Sequence, residues 1–315
     1  MSDHLPEVTS AYCQRLWEDV SNWGRWGDDD QLGALNLITP EIRRAAAELV
    51  SDGVVVGIGN RWPVDPAPEN PWPAEHRIIR GGDDPDYPGI PGLSVAMDYI
   101  GVACHGIATS HVDALCHVFV KHRMYNGYPA SDVRSTGAVR NDMMPMADGV
   151  VTRGVLLDMP RSMGVPYLHG DARIGPADLE AAARAQAVEP GSGDVLIVHL
   201  GLERRRQKEG AFDPAATGLA GLHPECARWL HDRDIAMLGS DGMNDPQPNW
   251  AADEWPIPIH YLGICGMGMT LMHNLSTETL ARECEQRGRW AFLLTIAPLK
   301  VPGATGSPVN PVVMF

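Results

Sequence analysis

Two imidazoles and a carboxylate stand close together in His111-Val112-Asp113-Ala114-Leu115-Cys116-His117, and a further histidine, His105, lies a short way upstream. In an extended chain successive side chains alternate faces, so His105, His111, Asp113 and His117 all project the same way. Imidazoles and a carboxylate converging on one face suit a divalent metal such as Zn or Mn. A core or surface role is the ordinary fate of any one histidine. For the set it is the weaker reading, because burying several ionisable groups side by side is expensive unless a metal or proton chemistry uses them. Cys104 and Cys116 flank the run and raise the question of a thiolate nucleophile. Cys116 has the opposite parity to Asp113 and His117, so it is expected to face the core as a small apolar residue.

Thr109-Ser110-His111-x-Asp113-x-x-x-His117-Val118-Phe119 resembles the signature H-x-G-T-H-x-D-A-P-x-H-F of the cyclase family of metal-dependent hydrolases, which includes bacterial kynurenine formamidase and isatin hydrolase. The likeness extends over most of residues 20 to 310. Trp26-Gly27-Asp28-Asp29-Asp30-Gln31-Leu32-Gly33-Ala34-Leu35-Asn36 is similar to the entrance segment of longer members. Leu238 to Asp245 is similar to their strand-to-loop segment carrying an Asp, and His260 and His273-Asn274-Leu275 fall where the family has a later His and an acidic residue before Asn-Leu.

Carried over residue by residue, the resemblance implies that His111 and Asp113 ligate the metal and that His117 is the general acid/base. His260 would be a ligating or second-sphere histidine. Thr109 or Ser110 would stabilise an oxyanion, and Trp26 belongs to the substrate entrance. Two departures stand out. The position four before His111, a ligating His in short members, is Ile107, so either His105 takes over through a local bulge or the first ligand is missing. His273 replaces the acidic residue, and it can ligate a metal but cannot accept a proton as a carboxylate would. The implied reaction is hydrolysis of an amide, lactam or ester/lactone bond of a small cyclic or aryl carbonyl compound, with C–N bonds other than peptide bonds foremost. The alternatives are a metal-independent cyclase or lyase using His117 and a non-catalytic ligand-binding homologue. The resemblance also implies a homodimer or homotetramer.

The elements that must position these residues alternate between helix and strand. Apolar spacing from 7 to 24 predicts a helix, making residues 1–25 an N-terminal helical extension. Thr39-Pro40-Glu41 reads as the cap of a second helix ending before Gly53. Val54–Ile58, Leu93–His105, Val155–Met159, Val195–Val198 and Ile235–Leu238 read as strands, and helices fill 176–188, 223–232 and 276–287. Residues 63–91, dense in Pro, Asp and Gly, read as a long surface loop that shapes a pocket. The expectation is one α/β domain over residues 1–315, with a mixed central sheet or partly open barrel of the swivelling β/β/α kind flanked by helices. Trp23, Trp26, Trp62, Trp72, Trp250 and Trp255 fall largely in loops, where they either line a pocket for a flat ring or pack the loops.

Composition excludes several classes. The formal net charge of −15 repels phosphate backbones and anionic membrane surfaces, so neither nucleic acid nor a membrane is an expected partner. The basic run Arg204-Arg205-Arg206-Gln207-Lys208 is expected to be a solvated helix face or loop. Six cysteines without a C-x-x-C pair argue against a zinc ribbon or disulfide framework. With neither a leader-like start nor a long apolar span in the sequence, a cytoplasmic location is the default. His199 and His122 lack a matching motif and are expected not to ligate.

Overall fold

The computed structural model describes residues 5–248 and 254–315, so Trp250 lies outside the described residues. Helix α1 (Ser10–Val20) starts where the Thr9 hydroxyl accepts the Tyr12 N–H, and it buries Tyr12, Cys13, Leu16 and Val20. Thr39 caps α2 (Pro40–Ala47) in the same way, with Pro40 at the first helical position. Strand β1 (Val55–Gly57) follows. The 63–91 excursion runs over the surface yet contains β2 (Glu75–Arg80), which pairs antiparallel with β3 (Met97–Gly101) as a separate two-stranded ribbon. Both faces of that ribbon meet solvent, leaving Ile78, Ile79, Tyr99 and Ile100 exposed.

The short β4 (His111–Asp113) precedes a central run of four strands: β5 (Val150–Asp158), β6 (Val195–His199), β7 (Met237–Ser240) and β8 (Thr270–His273). These four run parallel side by side. Parallel strands are covered on both faces, hence their continuous apolar sequences. Alternate residues serve different layers: Leu157, Val198, Leu238 and Leu271 join one apolar cluster, Leu156, Ile197, Met237 and Met272 the other.

Helices α3 (Pro176–Ala185), α4 (Leu202–Glu209) and α5 (Cys226–Asp232) are followed by α6 (Pro258–His260), which continues as a π-helix through Tyr261–Met267, and by α7 (Glu278–Arg287). With β9 (Ala291–Ile296), β10 (Gly306–Pro308) and β11 (Val312–Met314), the described residues form a nine-stranded mixed sheet in the order β1-β11-β9-β5-β6-β7-β8-β4-β10. The sheet curls into a half-barrel within one α/β domain flanked by helices. No helix among the described residues is long and apolar enough to cross a membrane.

The basic run lies on α4, a largely exposed helix, and departs from the expected solvated face at Arg205. Arg205 is buried, donating to the Gly218 carbonyl and to Glu209, and Arg204 forks onto Glu278. Arg206 stays part-exposed and Gln207 and Lys208 stay exposed on the same helix.

His223 ties the N-terminal segment to α5. Its Nε2 donates to the Pro6 carbonyl at 3.0 Å and its Nδ1 accepts the Glu225 N–H at 3.1 Å, so the ring is held neutral. Burial lowers its pKa below 6.5. The folded chain therefore binds this proton less readily than the unfolded chain, and the stability it contributes is complete above about pH 6.5 and is lost as pH falls through the lowered value. Urea unfolding at pH 7 and pH 5 should show a smaller loss of stability on acidification for His223→Gln than for the unaltered chain.

Candidate metal centre

Asp113 has no exposed surface, and five histidines close around it, from the loop before β4, β4 itself, the turn after it, α6 and β8. Its Oδ1 lies 3.0 Å from His105 Nδ1, 3.4 Å from His111 Nε2 and 3.9 Å from His117 Nε2. Its Oδ2 lies 2.8 Å from His273 Nε2 and 3.8 Å from His260 Nε2. The sheet explains half of this convergence. Where it changes from parallel to antiparallel, His273 of β8 stands directly opposite His111 of β4 and Met272 opposite Val112. The first pair faces the site and the second packs in the apolar core.

The alternation argument holds only for His111 and Asp113, because β4 ends at Asp113. His117 follows a turn closed by its own N–H on the Ala114 carbonyl, and a loop carries His105. That loop turns at Gly106 with φ 125° and is tethered by Asn274, whose Nδ2 donates to the Gly106 and Thr109 carbonyls. So a returning loop, and not a β-bulge, brings His105 beside Asp113 in spite of Ile107. Its ring stacks on His117 with centroids 3.9 Å apart, and Gly306, opposite Asp113 in β10, leaves the room. A Cβ on Gly306 would lie 2.5 Å from the His105 ring.

Second partners orient the rings. His111 Nδ1 donates to the Thr109 carbonyl at 2.8 Å, which aims Nε2 at Asp113. Asp245 accepts the N–H groups of Ile259 and His260, capping α6, and also holds His260 Nδ1 at 2.5 Å. Asn244 donates to the Met272 carbonyl and reaches His273 Nδ1. The sequence flags the Leu238–Asp245 segment for its Asp but assigns no role to Asn244 or Asp245; the available signal is a polar pair in the loop that follows a buried strand.

For Asp113, burial alone would raise the pKa, yet the His273, His105 and His111 imidazoles outweigh it and hold the carboxyl well below its usual range. Burial lowers His117 to about 4, against the pull of Asp113, and lowers His273 to about 3. Both are neutral imidazoles at pH 7. His260 moves the other way: burial opposes its charge, but Asp245 and Asp113 together raise its pKa.

Among the described residues two sets of three meet the spacing of a metal site, His105-His111-Asp113 and Asp113-His260-His273, each with ligand atoms within 4.8 Å of one another. Imidazoles with oriented ring nitrogens around a buried carboxylate fit a divalent cation such as Zn or Mn. Neither set contains His199 or His122. His199 sits at the end of β6, bonded to Thr277 at 2.7 Å, and His122 lies in a turn with φ 61°.

A cavity of about 140 Å³ opens beside His105, lined by Pro68, Pro71, Trp72, Ile107 and Thr109. A larger cleft of about 500 Å³ shares Glu69, Asn70 and Ala108 with it. Ser110 has its hydroxyl engaged, donating to the Asn274 carbonyl at 2.5 Å and accepting the Asn60 N–H at 2.7 Å. Trp26 packs against the apolar core under the Arg25 guanidinium, and it lines neither opening. Burial raises the thiol pKa of Cys104, and that of Cys116 to about 12.

Residues 60–244 match the protein-family model described as "Putative cyclase". A crystal structure of a novel cyclase is 30% identical, with a TM-score of 0.86 over 95% of this chain and 99% of that one. Isatin hydrolase A from Labrenzia aggregata, bound to benzyl benzoate, is 19% identical with a TM-score of 0.60 over 85% of this chain and 94% of its own. Isatin hydrolase A from Ralstonia solanacearum is 18% identical with a TM-score of 0.56 over 87% and 97%. At that identity the isatin hydrolases share the fold. Among curated proteins none matches the sequence.

Because Asp245 serves two backbone amides and one ring, Asp245→Ala should lower unfolding free energy by about 2 kcal/mol, the scale of a lost cap plus a charge-assisted hydrogen bond. Urea midpoints measure this, with far-UV circular dichroism expected to be unchanged.

Proposed function

This chain belongs to the cyclase family, and from that premise we propose that it is a metal-dependent hydrolase cleaving an amide, lactam or ester/lactone bond of a small cyclic or aryl carbonyl compound. One observation carries the proposal: the imidazole-ringed Asp113 carboxylate stands against a cavity whose wall includes His105, Trp72 and two prolines. That wall suits a flat ring, with the Trp72 face available for stacking.

A divalent cation held there lowers the pKa of water from about 15.7 toward roughly 7. His111 and Asp113 are the ligands of first choice, with His105 completing the set, while His260 and His273 stand at the carboxylate's other oxygen. His117 is neutral at pH 7, so it accepts a proton from the attacking water at its free ring nitrogen and delivers it to the departing nitrogen or oxygen. Thr109, lining the cavity, is placed to steady charge developing on the carbonyl oxygen. Resemblance of its segment is the sole support for Trp26 at the entrance, since it lines neither opening. The six free thiols agree with a reducing compartment such as the cytoplasm.

We also propose that the chain assembles as a homodimer or homotetramer. The β2–β3 ribbon supports it, since an isolated two-stranded ribbon is marginal in water and this one presents Ile78, Ile79, Tyr99 and Ile100 to solvent.

Three outcomes are expected. A panel of N-formyl aryl amines, lactams and lactones assayed with Zn or Mn should give turnover that a chelator abolishes and added metal restores; turnover indifferent to chelator, with less than about half an equivalent of bound metal, would falsify the metal-dependent reading. His117→Ala should lower kcat about 10²- to 10⁴-fold while leaving metal content unchanged. Ile78→Lys with Ile100→Lys should reduce the mass measured by light scattering to that of one chain.

A further inference from the structure

We infer that His273 is a positioning residue whose N–H holds Asp113 Oδ2, so that the centre takes one divalent cation, on the His105 and His111 side of the carboxylate, and not two. The inference rests on the metal-centre reading above and goes further, to the number of cations and the role of one side chain.

Distances alone invite the opposite conclusion. Asp113 is common to both sets of three, with Oδ1 turned to His105 and His111 and Oδ2 to His273 and His260, which looks like a bridge between two ions. Hydrogen-bond accounting decides against it. A neutral imidazole ligates through the nitrogen that carries no hydrogen, so its other nitrogen must be an N–H facing an acceptor.

His111 meets that condition, because its Nδ1 faces the Thr109 carbonyl. His105 meets it too. Its Nε2 faces the Thr305 hydroxyl at 3.1 Å, which accepts as readily as it donates, so the hydrogen that Nδ1 gives Asp113 Oδ1 at 3.0 Å can move to Nε2 when Nδ1 turns to a cation.

His273 does not. Its Nδ1 faces the Asn244 amide nitrogen at 3.1 Å, and that same nitrogen donates to the Met272 carbonyl at 2.9 Å. Turning the amide over would set its oxygen against the Met272 carbonyl oxygen and lose that bond. It would also move the NH₂ group to where Asn244 Oδ1 now has no partner. Both side chains are buried, Asn244 at 0% and His273 at 1% exposure, so solvent offers no substitute. Nδ1 of His273 is therefore an acceptor, its single ring hydrogen sits on Nε2, and that N–H donates to Asp113 Oδ2 at 2.8 Å. The nitrogen a second cation would need is already a donor.

Two measurements on the whole protein test this. Apo protein titrated calorimetrically with Zn or Mn, with metal content determined after dialysis, should bind one equivalent. The ¹⁵N-histidine NMR spectrum should show His273 as the Nε2–H tautomer before and after loading. Asn244→Asp supplies an acceptor to Nδ1, frees Nε2, and should add a second, weaker equivalent. Two tight equivalents in the unaltered chain, or an Nδ1–H tautomer at His273, would overturn the inference and spare the metal-centre reading. Zero equivalents would sink that reading, and the one-cation inference with it.

Discussion

A carboxylate with no surface in water is the constraint around which this molecule is arranged. Moving an ion from water to a protein interior still costs several kcal/mol after relaxation, and only well-placed partners offset it. Asp113 has imidazole nitrogens of His105, His111 and His273 at 3.0, 3.4 and 2.8 Å. Those partners need partners in turn: the Thr109 carbonyl, Thr305, Asn244 and, for His260, Asp245. The network thus extends from one oxygen pair into β4, β8, β10, α6 and the loop before β4 (His111–Asp113). Partly satisfied, such a network would be worse than an apolar core, which is why so many small polar residues of this chain are fully buried.

Much of this architecture was legible in the residues themselves. Val195–Val198 and Ile235–Leu238 announced buried strands because nothing in them is polar, and Thr39-Pro40 announced a helix start through its cap chemistry. His111 and Asp113 share a face because two residues apart on a strand means the same side. The same reasoning applied to His105 and His117 reached the right neighbourhood by the wrong route. Their placement depends on a turn at Ala114 and on the Asn274 tether, and neither has a local signature. The strand inside residues 63–91 was hidden because its exposed Arg and Ile residues show no buried face, and periodicity reports burial. The buried Arg205 was hidden likewise, since a run of like charges carries no sign of which member turns inward.

Asn244 and Asp245 illustrate a general blind spot. Composition and spacing pick out groups that can touch a metal or a substrate, whereas the groups that fix a ring's tautomer are ordinary amides and carboxylates set by tertiary packing. The asymmetry between His260, held by a carboxylate, and His273, held by an amide, is invisible until both partners have coordinates. It nonetheless separates two side chains that look equivalent in sequence.

The ladder between β4 and β8 (Thr270–His273) has a consequence for how freely this protein can vary. His111 with His273, and Val112 with Met272, are successive rungs of one ladder. Sliding either strand by a single residue would turn over its own side chains, driving His111 with Asp113, or His273, into the apolar core and Val112 or Met272 into the polar centre. Misalignment here breaks the apolar packing and the polar centre together, so no intermediate sequence can drift through a loosened centre while keeping its interior intact. The two properties are inherited as one.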